Sequence, residues 1–169
     1  MTHAPRTPTS AAAPRRGTPD DAAEISRLRS AYVLSDPLDG EWVRRTRDHL
    51  AGRLGPSGDA RAYVIDAATG GLAACAVGFI HPVLPAPRYP LGLAARIHVV
   101  ATEPAYRRRG FARAAVSALL EHLAADGVTL FELHASTEAT PLYEELGFVS
   151  EPALMRMTRL APKSVGGER

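Results

Sequence analysis

Residues 97–112 read Ile97-His98-Val99-Val100-Ala101-Thr102-Glu103-Pro104-Ala105-Tyr106-Arg107-Arg108-Arg109-Gly110-Phe111-Ala112. The first five are mostly apolar and rich in β-branched side chains, as a buried strand requires, and Glu103-Pro104 ends the run. Beyond Gly110, the residues Ala112, Ala115, Val116, Leu119, Leu120 and Leu123 recur at helical spacing. The junction predicts a helix whose first N–H groups lack partners and carry the positive end of the peptide dipoles. Gly110 keeps the backbone approachable there, and Arg107, Arg108 and Arg109 raise the local positive potential. Alone, an Arg-Arg-Arg-Gly run reads as a turn glycine in a solvated charge cluster. Between a strand and a helix it reads as an anion cradle, and a diphosphate suits it.

The order of strand, Arg-x-x-Gly-x-Ala and helix resembles the acetyl-CoA signature of the GNAT superfamily of N-acetyltransferases. A second segment, Thr140-Pro141-Leu142-Tyr143-Glu144-Glu145-Leu146-Gly147-Phe148-Val149, is similar to that family's Leu-Tyr-Glu-x-Leu-Gly-Phe run. Leu133-His134-Ala135-Ser136 resembles a bacterial, small-substrate subgroup rather than the histone-modifying branch. The resemblance covers roughly residues 17–160 and is strongest over 97–149. It implies an α/β fold with a mixed, mostly antiparallel sheet of six or seven strands, a splayed central parallel pair and about four flanking helices.

Length and composition fit one such domain, since 169 residues bury a real core but rarely build two. We expect a disordered N-terminal extension over 1–16, the acetyltransferase domain over 17–160 and a flexible tail over 161–169. The pI near 9.0 invites a nucleic-acid reading. Residues 1–16, however, hold Arg6, Arg15 and Arg16 with no acid, so the remainder is close to neutral and a basic nucleic-acid face is not expected. No apolar run approaches the ~20 residues that cross a bilayer, and no secretory core is visible. Cys75 is the lone cysteine, which excludes a disulfide framework or a cysteine metal site and suits a cytoplasmic protein. Within an apolar run, Cys75 reads as a core side chain rather than a nucleophile.

Pro19-Asp20-Asp21 opens an amphipathic helix through Ile25, Leu28 and Tyr32, and Glu41–Leu50 predicts a second. Ala62–Asp66 and Leu72–Ile80 read as a hairpin turned by Thr69-Gly70-Gly71. Pro82, Pro85, Pro87 and Pro90 then make an irregular connection, either a plain surface link or a loop overhanging the substrate. Val128–Leu133 returns to the sheet, parallel to 97–101 through a right-handed crossover. Residues 149–160, with Val149, Leu154, Met155 and Met157, are expected to supply the closing strands.

The resemblance implies acetyl-CoA as co-substrate, with no metal, and direct transfer to a primary amine of a small molecule in a ternary complex. A protein N-terminus or lysine is the other acceptor it admits, and a silent CoA-binding or regulatory module is the alternative of a different class. By family position, Val100 and Thr102 offer their backbones to the pantetheine arm, and the N–H groups from Arg108 through Gly110 and Phe111 to Ala112 meet the diphosphate. Tyr143 is the implied acid near the CoA sulfur. Glu103, just past the strand, is the candidate base, with packing against an arginine as its other reading. Some members carry a glutamate base near the start of this strand, where this chain has Arg96. His98 and His134 titrate in the right range, but histidines on strands are more often packed or exposed. Ser136 stands where many relatives have a cofactor-contacting asparagine, and its side chain is shorter. The first two helices border the acceptor site in the family, and pairing of two copies through exposed sheet edges is open.

Overall fold

The computed structural model describes residues 12–159. In chain order these form β1 (Arg15–Arg16), a single 3-10 turn (Pro19–Asp21), α1 (Ala22–Tyr32), α2 (Gly40–Arg53), β2 (Ala60–Asp66), β3 (Leu72–Pro82) and β4 (Leu93–Thr102). A second 3-10 turn (Pro104–Tyr106), α3 (Phe111–Ala125), β5 (Leu130–Leu133) and α4 (Thr140–Glu145) follow. The strands make one sheet in sequence order, antiparallel except for β4 and β5.

Both sheet faces are covered, and the strand patterns say why. β3 is buried along its first seven residues, so its side chains must find apolar partners on both sides. On one face, Ile25 and Leu28 of α1 and Leu50 of α2 pack on Val64, Cys75, Val77, Val99 and Ala101. On the other, Val116, Leu119 and Leu123 of α3 and Tyr143 of α4 pack on Ala76, Ala95 and Ile97. Each fully buried Leu, Ile or Val contributes roughly 1.5–3 kcal/mol of transfer free energy. The Asp39 carboxylate caps α2 by accepting from the Trp42 N–H at 3.0 Å.

Three expectations change. The sheet has five strands among the described residues, not six or seven. The stretch expected to close it forms no strand up to Arg159 and leaves its apolar residues in solvent, with Val149 81 % and Met155 94 % exposed. At the other end, Arg15 and Arg16 belong to the sheet rather than to a loose extension. They pair with Val64 and Tyr63, and the Arg15 guanidinium bridges Asp21 and Asp66, each at 2.8 Å. Residues 1–11 and 160–169, including the tail, lie outside the described residues.

The proline-rich loop has a definite place in the fold. Antiparallel β3 and β4 place it at the end of the sheet where β5 begins. There the Arg88 carbonyl accepts from the Thr129 hydroxyl at 2.6 Å. At ~3.3 Å per residue, that end lies roughly 23 Å along β4 from Val100.

Candidate active site

The site grows from an irregularity in β4. Val77 faces Val99 and Gly78 faces Ile97, so His98 is an extra residue in the ladder. Such a bulge places neighbouring side chains on the same face and bends the strand. Here His98 and Val99 both turn toward α1 and α2, His98 meeting Phe79 edge-on at 5.1 Å. Pairing with β5 stops at Ile97↔Leu133, one residue before the bulge, and β4 runs on alone to Thr102.

The free edge of that overhang has a definite chemistry. Glu103 N–H donates to the Ala73 carbonyl at 2.8 Å, which fixes which residues bond to β3. Antiparallel alternation then turns the N–H and C=O of Val100 and Thr102 the other way, into the gap beyond β5. The Thr102 carbonyl accepts from Arg107 Nε at 3.3 Å. The Val100 backbone faces the gap as a ready partner for an extended amide-bearing chain.

At the top of the gap lies the loop into α3. Among the described residues, none of the backbone N–H groups from Arg108 to Arg113 has a partner, and the intrahelical ladder begins with Ala114 N–H to the Gly110 carbonyl at 3.0 Å. Arg108 (φ 60°) and Gly110 (φ 78°) both take left-handed conformations. For Arg108 this is a strained choice, of the kind that gathers N–H groups into an anion-binding nest. A Cβ built on Gly110 would meet nothing within 4 Å, so the cradle above the backbone is left open by the protein. The loop is stapled from below: the Phe111 side chain packs with Ile65, Ala73 and Ala74 and stacks on Tyr106 at 6.0 Å. Arg109 lies over the Tyr106 ring at 5.3 Å and Arg107 over Tyr32 at 5.4 Å.

Glu103 closes this assembly onto α1. One carboxylate oxygen accepts from Arg27 at 2.9 Å and the other from the Tyr32 hydroxyl at 3.0 Å. The Arg27 guanidinium, then the Tyr32 hydroxyl, holds the carboxyl below its ordinary range. Arg27 also pairs with Glu24 at 2.9 Å.

Tyr143 is buried on the opposite layer, in T-shaped contact with Phe148 at 5.9 Å, and burial raises the pKa of its phenol. Its helix is set by both ends. The Ser136 carbonyl accepts from the N–H groups of Ala139 and Thr140, while the Ser136 hydroxyl accepts from Ala139 N–H at 3.3 Å. Thr140 is the first residue of α4 and donates its hydroxyl to the Ser136 carbonyl at 3.0 Å. Gly147 (φ 97°) ends α4 as Phe148 N–H reaches back to the Tyr143 carbonyl at 3.0 Å. An Arg113–Glu145 ion pair ties α4 to α3.

Across β4 from the gap, a cleft of about 380 Å³ opens between α1, α2 and the sheet, lined by Ile25, Arg29, Trp42, Phe79, His98 and Val99 among others. Nothing in the local sequence distinguishes His98 from an ordinary strand histidine. The signal that singles it out is its place as the extra residue of a bulge, which pairing alone reveals. Burial first, then the charges of Arg96 and Arg29, lowers the His98 pKa, so the ring is neutral at pH 7. His134 instead accepts from Arg96 and Arg156. Cys75 is wholly buried, and burial pushes its thiol up to about 12, which leaves no thiolate for catalysis.

No group of three His, Cys, Asp or Glu side chains among the described residues is placed to hold a metal, and none of the described helices is long and apolar enough to cross a membrane. A parallel pair whose pairing ends at Ile97, below a glycine-centred loop of bare N–H groups, is the framework of an acyltransferase. Residues 25–148 match the acetyltransferase (GNAT) family, and the chain belongs to it. A GCN5-related N-acetyltransferase from Ralstonia eutropha superposes with a TM-score of 0.70 at 23 % identity, over 86 % of this chain and 97 % of that one. A predicted acetyltransferase from Clostridium acetobutylicum with acetyl-CoA gives 0.74 at 16 % identity, over 86 % and 94 %. The glucosamine-6-phosphate N-acetyltransferase of Arabidopsis thaliana gives 0.65 at 20 %, over 87 % and 96 %. No curated protein matches the chain by sequence.

Proposed function

We propose that the protein is a cytoplasmic acetyl-CoA-dependent N-acetyltransferase that acetylates the primary amine of a small molecule by direct transfer in a ternary complex. The observation carrying this reading is the run of unpartnered N–H groups from Arg108 to Arg113 set above the free β4 edge at Val100 and Thr102. That pairing suits one ligand with a diphosphate at one end and an amide-bearing arm at the other. Acetyl-CoA supplies an activated acyl carbon and a thiolate leaving group. The diphosphate falls to the N–H groups from Arg108 through Arg109, Gly110 and Phe111 to Ala112, with Arg107 and Ser136 at the margins. The arm falls to Val100 and Thr102.

In the transfer, the acceptor nitrogen bonds to the acetyl carbon while the carbon–sulfur bond breaks and its electron pair goes to sulfur. The ammonium form of the acceptor first gives up one proton, and a second leaves the nitrogen as the amide forms. His98 stands beside the gap as a neutral imidazole and takes the proton from nitrogen. Glu103, the base suggested by sequence position, is better suited to anchoring: Arg27 and Tyr32 occupy both oxygens, and its lowered pKa weakens it as a base. Tyr143 keeps its proton at neutral pH because burial raises its pKa, and it donates a hydrogen bond to the sulfur as negative charge gathers there. A thiolate, with a reference pKa near 8.5 against about 10 for tyrosine, does not take that proton outright. The cleft of about 380 Å³ favours a small acceptor over a polypeptide.

The test is CoA release from acetyl-CoA against a panel of small amines and peptides bearing free N-termini or lysines. Turnover with small amines supports the proposal. Turnover confined to peptides replaces the acceptor class, and CoA binding without turnover on either leaves a silent binding module.

A further inference from the structure

The cleft beside His98 is cationic in a particular way. Arg29, Arg45, His49 and His98 line it, and no Asp or Glu does. Arg45 already pairs with Glu41 at 2.7 Å and lies over Trp42 at 5.0 Å. His49 accepts from Arg53 at 2.8 Å, and Arg53 in turn pairs with Asp59 at 2.6 Å. Arg29 differs from these. Half-buried on the inner side of α1, it forms no ion pair with any carboxylate of the described residues, although its helix neighbour Arg27 holds two. A guanidinium drawn partly out of water without a counter-charge is costly, and arginine's planar fork matches a carboxylate or phosphate in bidentate fashion. Ile25 of α1 and Phe79 and Val99 of the sheet give the cleft apolar walls, which suit a short hydrocarbon body.

We propose that this cleft selects an acceptor carrying an anionic group, carboxylate or phosphate, on a short apolar spacer from its amine, with Arg29 as the counter-ion. The inference rests on the reading of the cleft as the acceptor site. The anion sits on α1 while the amine reaches across to His98 and the free stretch of β4. Arg29 and His98 line the same cleft of about 380 Å³, a space that one small molecule can span.

Calorimetry on the CoA-loaded protein, run beside turnover with acetyl-CoA, separates this inference from the function itself. The probes are 4-aminobutyrate against butylamine, and 3-aminopropyl phosphate against 3-aminopropanol. The expected result is at least tenfold tighter binding and higher kcat/KM for an anionic member over its neutral partner. Arg29→Gln should erase that preference, and Arg29→Lys should keep part of it. Comparison of the two anionic probes tells carboxylate from phosphate. Equal affinity for charged and neutral members, or a preference that survives Arg29→Gln, overturns the proposal even when turnover is robust. Anion-selective binding with no turnover on any probe keeps the anion site and removes the transferase reading.

Discussion

Arg27 on the first helix and Glu103 at the end of the central strand form a 2.9 Å ion pair across 76 residues of chain, and Tyr32 completes the grip on the carboxylate. This fastens α1 to the strand end from which the anion loop departs. Glu103→Gln keeps the tyrosine hydrogen bond and loses the charge, so it should cost about 1 kcal/mol or less. kcat should fall less than tenfold, with the acid limb of the pH profile unmoved. A fall beyond a hundredfold would restore Glu103 as the base.

The acid limb belongs to His98 in our reading. Its lowered pKa places the rise of kcat below the ordinary histidine value of about 6.5. His98→Asn should remove that limb and lower kcat about a hundredfold, with the KM for acetyl-CoA unchanged. An unaltered pH–kcat profile in the variant would take His98 out of the chemistry.

Tyr143→Phe removes a single hydroxyl from a packed ring. Stability should stay within about 1 kcal/mol, because the ring contacts with Phe148 persist. kcat should drop about ten- to a hundredfold while calorimetry returns an unchanged affinity for CoA. Weakened CoA binding instead would mean that the phenol positions the thiol rather than assisting its departure.

Gly110 and Gly147 provide a matched pair. Both hold positive φ, 78° and 97°, and at both an added Cβ meets open space. Alanine at either position should cost roughly 1–2 kcal/mol for the left-handed backbone. Only Gly110→Ala puts a methyl where the diphosphate approaches, so only it should raise the dissociation constant of CoA, by about tenfold or more. Equal effects at the two glycines would refute the cradle.

Arg15 couples the first strand to Asp21 and Asp66. Burial works to raise the Asp21 pKa, but Arg15 and the Thr18 backbone outweigh it, and Arg15 alone lowers Asp66. Carboxylates lowered in the folded state stabilise above their unfolded pKa of about 4, and that contribution is lost as pH falls through the folded values. With Arg15 and Asp66 largely exposed and screened by solvent, Arg15→Ala should destabilise by about 1 kcal/mol at pH 7, and the gap in Tm between variant and wild type should shrink toward zero near pH 2. A gap independent of pH would assign the effect to strand pairing rather than charge.

Much of this was legible in the sequence because it follows from local rules. The periodicity from Ala112 to Leu123 and the glycine before it define α3 and its bare N-terminus, and Leu142 to Phe148 carries its own stop at Gly147. The hidden parts depend on partners distant in sequence. Arg15 reads as one of several arginines in a polar leader until Asp66, 51 residues on, supplies its counter-charge. Residues 149–159 hold the apolar Val149, Leu154, Met155 and Met157, yet a strand also needs a facing edge, which no pattern within the segment can report. His98 looked like an ordinary strand histidine because a bulge is a mismatch between two strands and is written in neither alone.

That mismatch sets how the protein would respond to losing one residue. With His98 excised, Ile97 and Val99 would still face Gly78 and Val77, and every bond of the central ladder would remain available. What would vanish is the bend, and a straightened strand could zip onward against its parallel neighbour. The result would be a well-folded sheet with a sealed seam and nowhere to thread a cofactor, so inactivation by deletion here need not announce itself as misfolding.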